Sequence, residues 1–140
     1  MPESSTHYWL IRSPYQNRTW DDCLMRNLFR LQGIRNAEAA RNIGRMQPGD
    51  QAIFYNNIDE RAVFGILEVS AKPYSDPTSN ESCWLAIDSN PIQTFDPPLP
   101  LESLKQNETL ASCPLITRPR LSVAVLSEEH FQTILNMAQP

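Results

Sequence analysis

Apolar positions along this chain alternate between two periods, and the changes of period mark its elements. His7-Tyr8-Trp9-Leu10-Ile11-Arg12 is a short aromatic and β-branched run closed by Ser13-Pro14, which predicts a strand. Trp20, Leu24, Leu28 and Leu31 then recur at helical spacing. Thr19 is placed to cap that helix, Asp21 and Asp22 favour its dipole, and Gly33 marks the stop. Asn36 caps a second predicted helix running to about Met46. It would bury Ala39, Ile43 and Met46 and turn Glu38, Arg41, Asn42 and Arg45 outward.

Pro48-Gly49-Asp50 reads as a turn, after which Gln51 to Asn56 and Ala62 to Val69 pair as a hairpin. Gly65 inside the second strand signals a bulge or a close backbone approach. Residues 70–82 are a polar loop. Cys83, Leu85 and Ile87 then alternate with Trp84, Ala86 and Asp88, which turns Trp84 away from the Leu85 face. Residues 91–100 hold four of the twelve prolines and are expected to form an irregular connection. A short helix from Leu101 to Gln106, a strand from Leu121 to Leu126 and a last helix capped by Ser127 complete the series. The last helix carries the stripe Phe131, Ile134, Leu135 and Ala138. Strands outnumber helices without βα alternation, so the fold class is α+β. The expected architecture is a mixed or antiparallel sheet curled into a closed or nearly closed small barrel of five to seven strands, flanked by helices.

At 140 residues this is one domain, large enough to fold without disulfides or metal. No apolar run approaches the ~20 residues of a membrane span, and the first residues show no secretory signal. The three scattered cysteines read as reduced thiols, so a cytoplasmic monomer without membrane contact is expected. The net charge of −4 conceals an asymmetry. From Arg12 to Arg45 seven arginines face three carboxylates, whereas from Met46 onward five basic residues face twelve acidic ones. A basic first third can attract anions locally in an acidic protein, or it can be the wet faces of two helices.

Chemistry-bearing patterns are sparse. There is no Cys-x-x-Cys and no His pair at helical spacing, so no metal site is expected. Only His7 and His130 could activate a nucleophile, and His130 reads as a surface residue. Four glycines leave no phosphate-cradling loop. No catalytic residue and no cofactor are assigned.

One segment carries a family resemblance. Gly33-Ile34-Arg35-Asn36-Ala37-Glu38-Ala39-Ala40-Arg41-Asn42 resembles the "GVRN…ARN" signature of EVE domains, members of the PUA-like superfamily. Other matches follow in the family's order. Tyr8-Trp9-Leu10-Ile11-Arg12-Ser13 is similar to "YWLxKS", Met46-Gln47-Pro48-Gly49-Asp50 to "MxxGD", and Phe54-Tyr55 to "FY". Gly65-Ile66 and Val69 fit the next strand, Tyr74-Ser75-Asp76-Pro77-Thr78 the "YPDPT" loop, and Arg120-Leu121-Ser122-Val123 the late "RLSV". The departures are Leu31 for a tryptophan, Gln32 for an aspartate, Arg12 for the opening lysine, and Pro14 directly after the serine. Asn56 and Asn57 stand where the family often has His-Ser or Ser, and a proline shortly after "RLSV" is missing.

The resemblance implies a PUA-like barrel with a pocket for a modified nucleobase in DNA or RNA, as in the related YTH and SRA domains. By position, Ser13, Asn36, Asn56 and Trp84 match pocket positions of the YTH fold, and Arg35 falls where that fold has a cage tryptophan. Tyr55 is counted with them, although it and Trp9 read as core more than as site. Arg12, Arg41, Arg45 and Arg120 are the expected contacts to the nucleic-acid backbone. An unstacked base needs an aromatic or guanidinium plane and polar groups for its edges, which this set offers. Two alternatives stand beside this reading: a hydrolase on a modified nucleoside, as in some ASCH proteins, and a protein binding a free small ligand. Arginine does not deprotonate, so Arg12 in the lysine position counts against the hydrolase.

Overall fold

Trp9, Leu10 and Ile11 are buried in succession, so the first strand, β1 (Tyr8–Arg12), has no solvent face and takes an interior place in the sheet. It pairs in parallel with β3 (Gln51–Asn56) and antiparallel with β7 (Val123–Leu126). The computed structural model describes residues 7–15, 19–57 and 61–138. Antiparallel partners extend the sheet through β4 (Ala62–Val69) and β6 (Leu85–Pro100) to β2 (Phe29–Leu31), and β5 (Tyr74–Ser75) adds to β6. The order is β2-β6-β4-β3-β1-β7. This mixed sheet curls into a half-barrel flanked by helices, as the α+β, PUA-like expectation required. Its ends, β2 and β7, do not pair with each other among the described residues, so the barrel is an open curl.

Local chemistry sets the helices. Thr19 and Asp22 form a reciprocal capping box at the start of α1 (Trp20–Arg26). This helix is shorter than its apolar spacing suggests. Asn27 adopts a left-handed conformation (φ 50°) and ends it, leaving Leu24 exposed. Phe29 and Leu31 then bury on alternate positions around exposed Arg30, so the presumed end of the helix is the strand β2. Asn36 caps α2 (Ala37–Gly44) by accepting from Ala39 N at 2.9 Å. Ala39, Ile43 and Met46 are buried as expected, but Asn42 is buried too and donates from Nδ2 to Val123 O at 2.7 Å. A polar residue read as outward-facing thus ties α2 to β7.

β6 corrects the expectation of an irregular 91–100 connection. Its register against β4 slips twice, so that Phe95, Asp96, Pro97 and Pro98 fall between the pairs Gly65–Thr94 and Val63–Leu99. The bulge removes Pro97 and Pro98 from the ladder while the strand continues to Pro100. Gly65 faces this stretch. A Cβ there would run into Gln93 O and the Trp20 ring, which explains the glycine as a close approach.

Behind the bulge, the helices α3 (Leu101–Lys105) and α4 (Pro114–Thr117) lead to β7, and α5 (Glu128–Ala138) closes the chain over Phe131 and Ile134. Ser127 caps α5 through His130 N at 3.1 Å, and His130 is half-buried, not the surface residue expected. Asp50 is buried and accepts from Trp9 Nε1, His7 N and Gln47 N at 3.0, 3.1 and 3.0 Å. One carboxylate therefore joins the start of β1 to the turn before β3. All three cysteines are free. Among the described residues no helix is long and apolar enough to cross a membrane.

Candidate functional site

Because β1 and β3 run parallel with Arg12 beside Tyr55, both strands deliver their last residues to the same edge of the half-barrel. Ser13 N donates to Tyr55 O at 3.0 Å and continues that pairing past the strand end. A cleft of about 370 Å³ opens there. Arg12, Ser13, Tyr55 and Asn57 line it on the sheet side, Arg61 and Lys105 on another, and Leu115, Ile116 and Pro119 on a third. Its size falls in the range of small-ligand sites, roughly 300–1,000 Å³. Among the described residues no carboxylate lines it.

Arg12 is fixed from two directions. Its Nη2 donates to Leu115 O at 2.6 Å and to Arg118 O at 3.4 Å, and its guanidinium lies over the Tyr55 ring, 5.0 Å from the centroid. Its Nε is buried and meets no hydrogen-bond acceptor within bonding geometry among the described residues. Burial lowers the Arg12 pKa from its usual value, but an arginine remains a cation and cannot take a proton from a substrate. Burial likewise raises the Tyr55 phenol and the Cys113 thiol, so both stay neutral beside it. The wall is a held guanidinium plane backed by an aromatic ring, with no activated nucleophile.

A second recess of about 240 Å³ adjoins the cleft, with Pro119 lining both. Asn36, Arg118, Arg120 and Leu121 form it. Arg118 holds this rib against α2 through a two-pronged pair with Glu38, at 2.6 and 3.2 Å. Asn36 spends its side-chain oxygen on the helix cap and offers the recess its remaining polar groups.

Arg35 and Trp84 sit elsewhere. Asp76 is buried and accepts from Gly33 N (2.7 Å), Arg35 Nη1 (3.0 Å), Thr78 N (2.8 Å) and Thr78 Oγ1 (2.6 Å). Burial pushes its pKa upward, but the bonds from Thr78, Gly33 and Arg35 outweigh that and hold it well below the usual carboxylate range. The same Arg35 guanidinium lies over Trp84, 5.7 Å from the ring centroid, and Trp84 Nε1 donates to Glu81 at 3.2 Å. Trp84 then borders a mainly apolar groove of about 330 Å³ along Ala37, Ala40, Arg41 and Gly44 of α2.

The expected site residues therefore divide three ways. Arg12, Ser13 and Tyr55 share the cleft, Asn36 and Arg120 share the adjoining recess, and Arg35, Arg41 and Trp84 gather around the groove. The structure does not bring Trp84 into one pocket with Ser13 and Asn56. Trp84 lies just before β6, where pairing with β5 draws the chain toward the side of α2. Asn56 is buried and accepts from Asn57 N at 2.8 Å, and it is Asn57 that lines the cleft. Arg45 is exposed and lines none of the three. Arg61, Lys105 and Asp76 escaped the sequence reading. The Asp-Pro-Thr turn signal marked Asp76, whereas nothing local marked the two cations.

A family model described as EVE domain matches residues 7–137. Mouse (Mus musculus) thymocyte nuclear protein 1 is 28% identical over 93% of this chain and 63% of its own length. The chain thus spans just under two thirds of the curated relatives it matches. A hypothetical protein from Leishmania major superimposes with a TM-score of 0.88 at 30% identity, over 96% of each chain. Human thymocyte nuclear protein 1, in complex with 5-methylcytosine-containing DNA, gives 0.86 at 23% identity over 96% of this chain and 99% of that one. A YTH domain from Zygosaccharomyces rouxii, in complex with N6-methyladenosine RNA, shares the fold at 0.64 and 14% identity, covering 99% and 90%.

Proposed function

The chain belongs to the EVE domain family, and from that premise we propose that it is a non-catalytic module that binds a modified nucleobase within DNA or RNA. The observation that carries the reading is the cleft at the ends of β1 and β3. It joins a guanidinium plane at Arg12 backed by Tyr55, a hydroxyl at Ser13 and an amide at Asn57. A base taken out of its stack needs a flat surface and donors or acceptors for its edge, and this cleft supplies both. Two solved complexes support the reading, since one relative holds 5-methylcytosine-containing DNA and a YTH domain holds N6-methyladenosine RNA. In our assignment the base lies against Arg12, Ser13 and Asn57 address its edge, and Asn36 and Arg120 meet what extends into the next recess. Trp84 is outside this site. A hydrolase would need a base beside a nucleophile, and Arg12, in the family's lysine position, cannot act as that base.

The test is a panel of matched oligonucleotides, single-stranded and duplex, DNA and RNA, each differing from its control by one modified base. We expect one modification to bind at least ~tenfold more tightly than its control, the equivalent of one well-made edge contact. Equal affinity across the panel would dismiss the reading. Turnover of a modified nucleoside would establish the hydrolase instead.

A further inference from the structure

Three basic side chains, Arg12, Arg61 and Lys105, line the cleft, and none of them forms a salt bridge among the described residues. Arg30, Arg35 and Arg118 are neutralised by Asp88, Asp76 and Glu38. Arg12 is held by the carbonyls of Leu115 and Arg118. Arg61 and Lys105 line the same cleft, both exposed, and enter no salt bridge among the described residues. The fold brings them together deliberately. Arg61 precedes β4, Lys105 ends α3, and the backbone bond from Leu101 N to Arg61 O (2.8 Å) fastens the start of α3 to that strand.

We infer that Arg61 and Lys105 form a phosphate clamp on the rim of the cleft, so that the preferred ligand is a nucleotide in a chain and not a free base or nucleoside. The inference rests on the base-binding reading and deepens it. Two exposed cations on the rim of a partly apolar cleft that already holds Arg12 meet no carboxylate among the described lining residues, and a phosphate beside the bound base would provide a counter-ion. The geometry gives this role to the hairpin and α3, in place of the α2 arginines singled out by charge along the sequence. Arg41 borders the Trp84 groove and Arg45 reaches none of the recesses, so neither is placed to follow a strand that leaves this cleft.

The experiment compares wild type, Arg61→Gln/Lys105→Gln and Arg41→Gln/Arg45→Gln. The probes are a single-stranded oligonucleotide with one central 5-methylcytosine, 5-methyl-2′-deoxycytidine, its 5′- and 3′-monophosphates, and inorganic phosphate. Oligonucleotide binding is followed by fluorescence anisotropy across a salt series, and the small probes by calorimetry. All the substituted residues are exposed, and thermal unfolding verifies that each variant folds. We expect Arg61→Gln/Lys105→Gln to reduce the slope of log affinity against log salt by about 1.4, at about 0.7 per lost contact to a single strand. It should weaken the oligonucleotide and one monophosphate while leaving the nucleoside unchanged, and the α2 variant should keep the wild-type slope. An unchanged slope in Arg61→Gln/Lys105→Gln, or inorganic phosphate binding as tightly as the monophosphate, would overturn the clamp. An equal loss for the nucleoside would also overturn it. If wild type binds the methylated oligonucleotide no better than its unmodified control, yet the slope still drops, the clamp stands and 5-methylcytosine is not the base read. An oligonucleotide that does not bind at all overturns both.

Discussion

Replacing Asp76 by Asn changes one atom of a buried group and tests how the Gly33–Asn36 segment is held. Asp76 Oδ1 serves Thr78, and an amide oxygen can keep those two bonds. Oδ2 accepts from Gly33 N at 2.7 Å and Arg35 Nη1 at 3.0 Å. An amide nitrogen in its place would set a donor against two donors. Hydrogen bonds to a charged group contribute about 1.5–3 kcal/mol each. The Arg35 side chain is 39% exposed, so water screens its share. A loss of about 3 kcal/mol follows, or a fall in Tm of roughly 6–12 °C for a domain of this size. The pH dependence is a second, independent mark. Because the folded pKa of Asp76 lies below the unfolded value of about 3.9, its stabilisation is full above that value and fades as pH falls toward the depressed one. Asn does not titrate there, so the gap between wild type and variant should be constant from pH 7 to about 5 and narrow below about 4. Urea unfolding followed by tryptophan fluorescence at pH 7, 5 and 3 measures both. A loss below about 1 kcal/mol at pH 7, the size of one ordinary hydrogen bond, refutes the reasoning. So does a gap that stays constant into acid.

Arg12→Lys keeps the charge and removes the plane, and stacking of a base contributes about 1–3 kcal/mol. Anisotropy against the best oligonucleotide of the panel should show roughly a ten- to hundredfold loss, and unchanged affinity would remove Arg12 from the site. Trp84→Ala should leave that affinity as it was, because Trp84 faces the α2 groove; a loss in a variant that melts like wild type would return Trp84 to the base pocket. Gly65→Ala should destabilise by about 1–3 kcal/mol in chemical denaturation, since its methyl must displace the Trp20 ring or the Gln93 carbonyl. A neutral result would mean that β6 shifts freely at its bulge.

What could be read from the chain was whatever residues do to their immediate neighbours. Thr19, Asn36 and Ser127 each cap the helix that follows, Gly65 marks a close approach, and the β3–β4 hairpin follows from alternation and its turn. The errors arose where partners are distant. Leu28 and Leu31 extend a helical stripe in sequence, yet pairing with β6 claims Phe29 to Leu31 for the sheet. The prolines of 91–100 disfavour a strand until β4 supplies a register with room for a bulge. Ser13, named from motif position, does line the cleft, beside a Tyr55 that reads first as core. Trp84 was named in the same way and does not, because strand alternation says which face a side chain takes but not which side of a helix the strand passes. Arg61 and Lys105 carry no local mark at all; only the tie between α3 and β4 makes them neighbours.

The grip on Arg12 sets an order of events in time. Its guanidinium is held by carbonyls 103 and 106 residues further along, and the strand it ends pairs on one side with β7. During synthesis, therefore, β1 can find β3 and begin the half-barrel well before the cleft has a back wall. The proposed cleft is incomplete until the stretch from α4 to β7 has been made and docks. Contacts this far apart in sequence also slow folding. Under the base-binding reading, the cleft lacks its back wall until nearly all of the domain has been made.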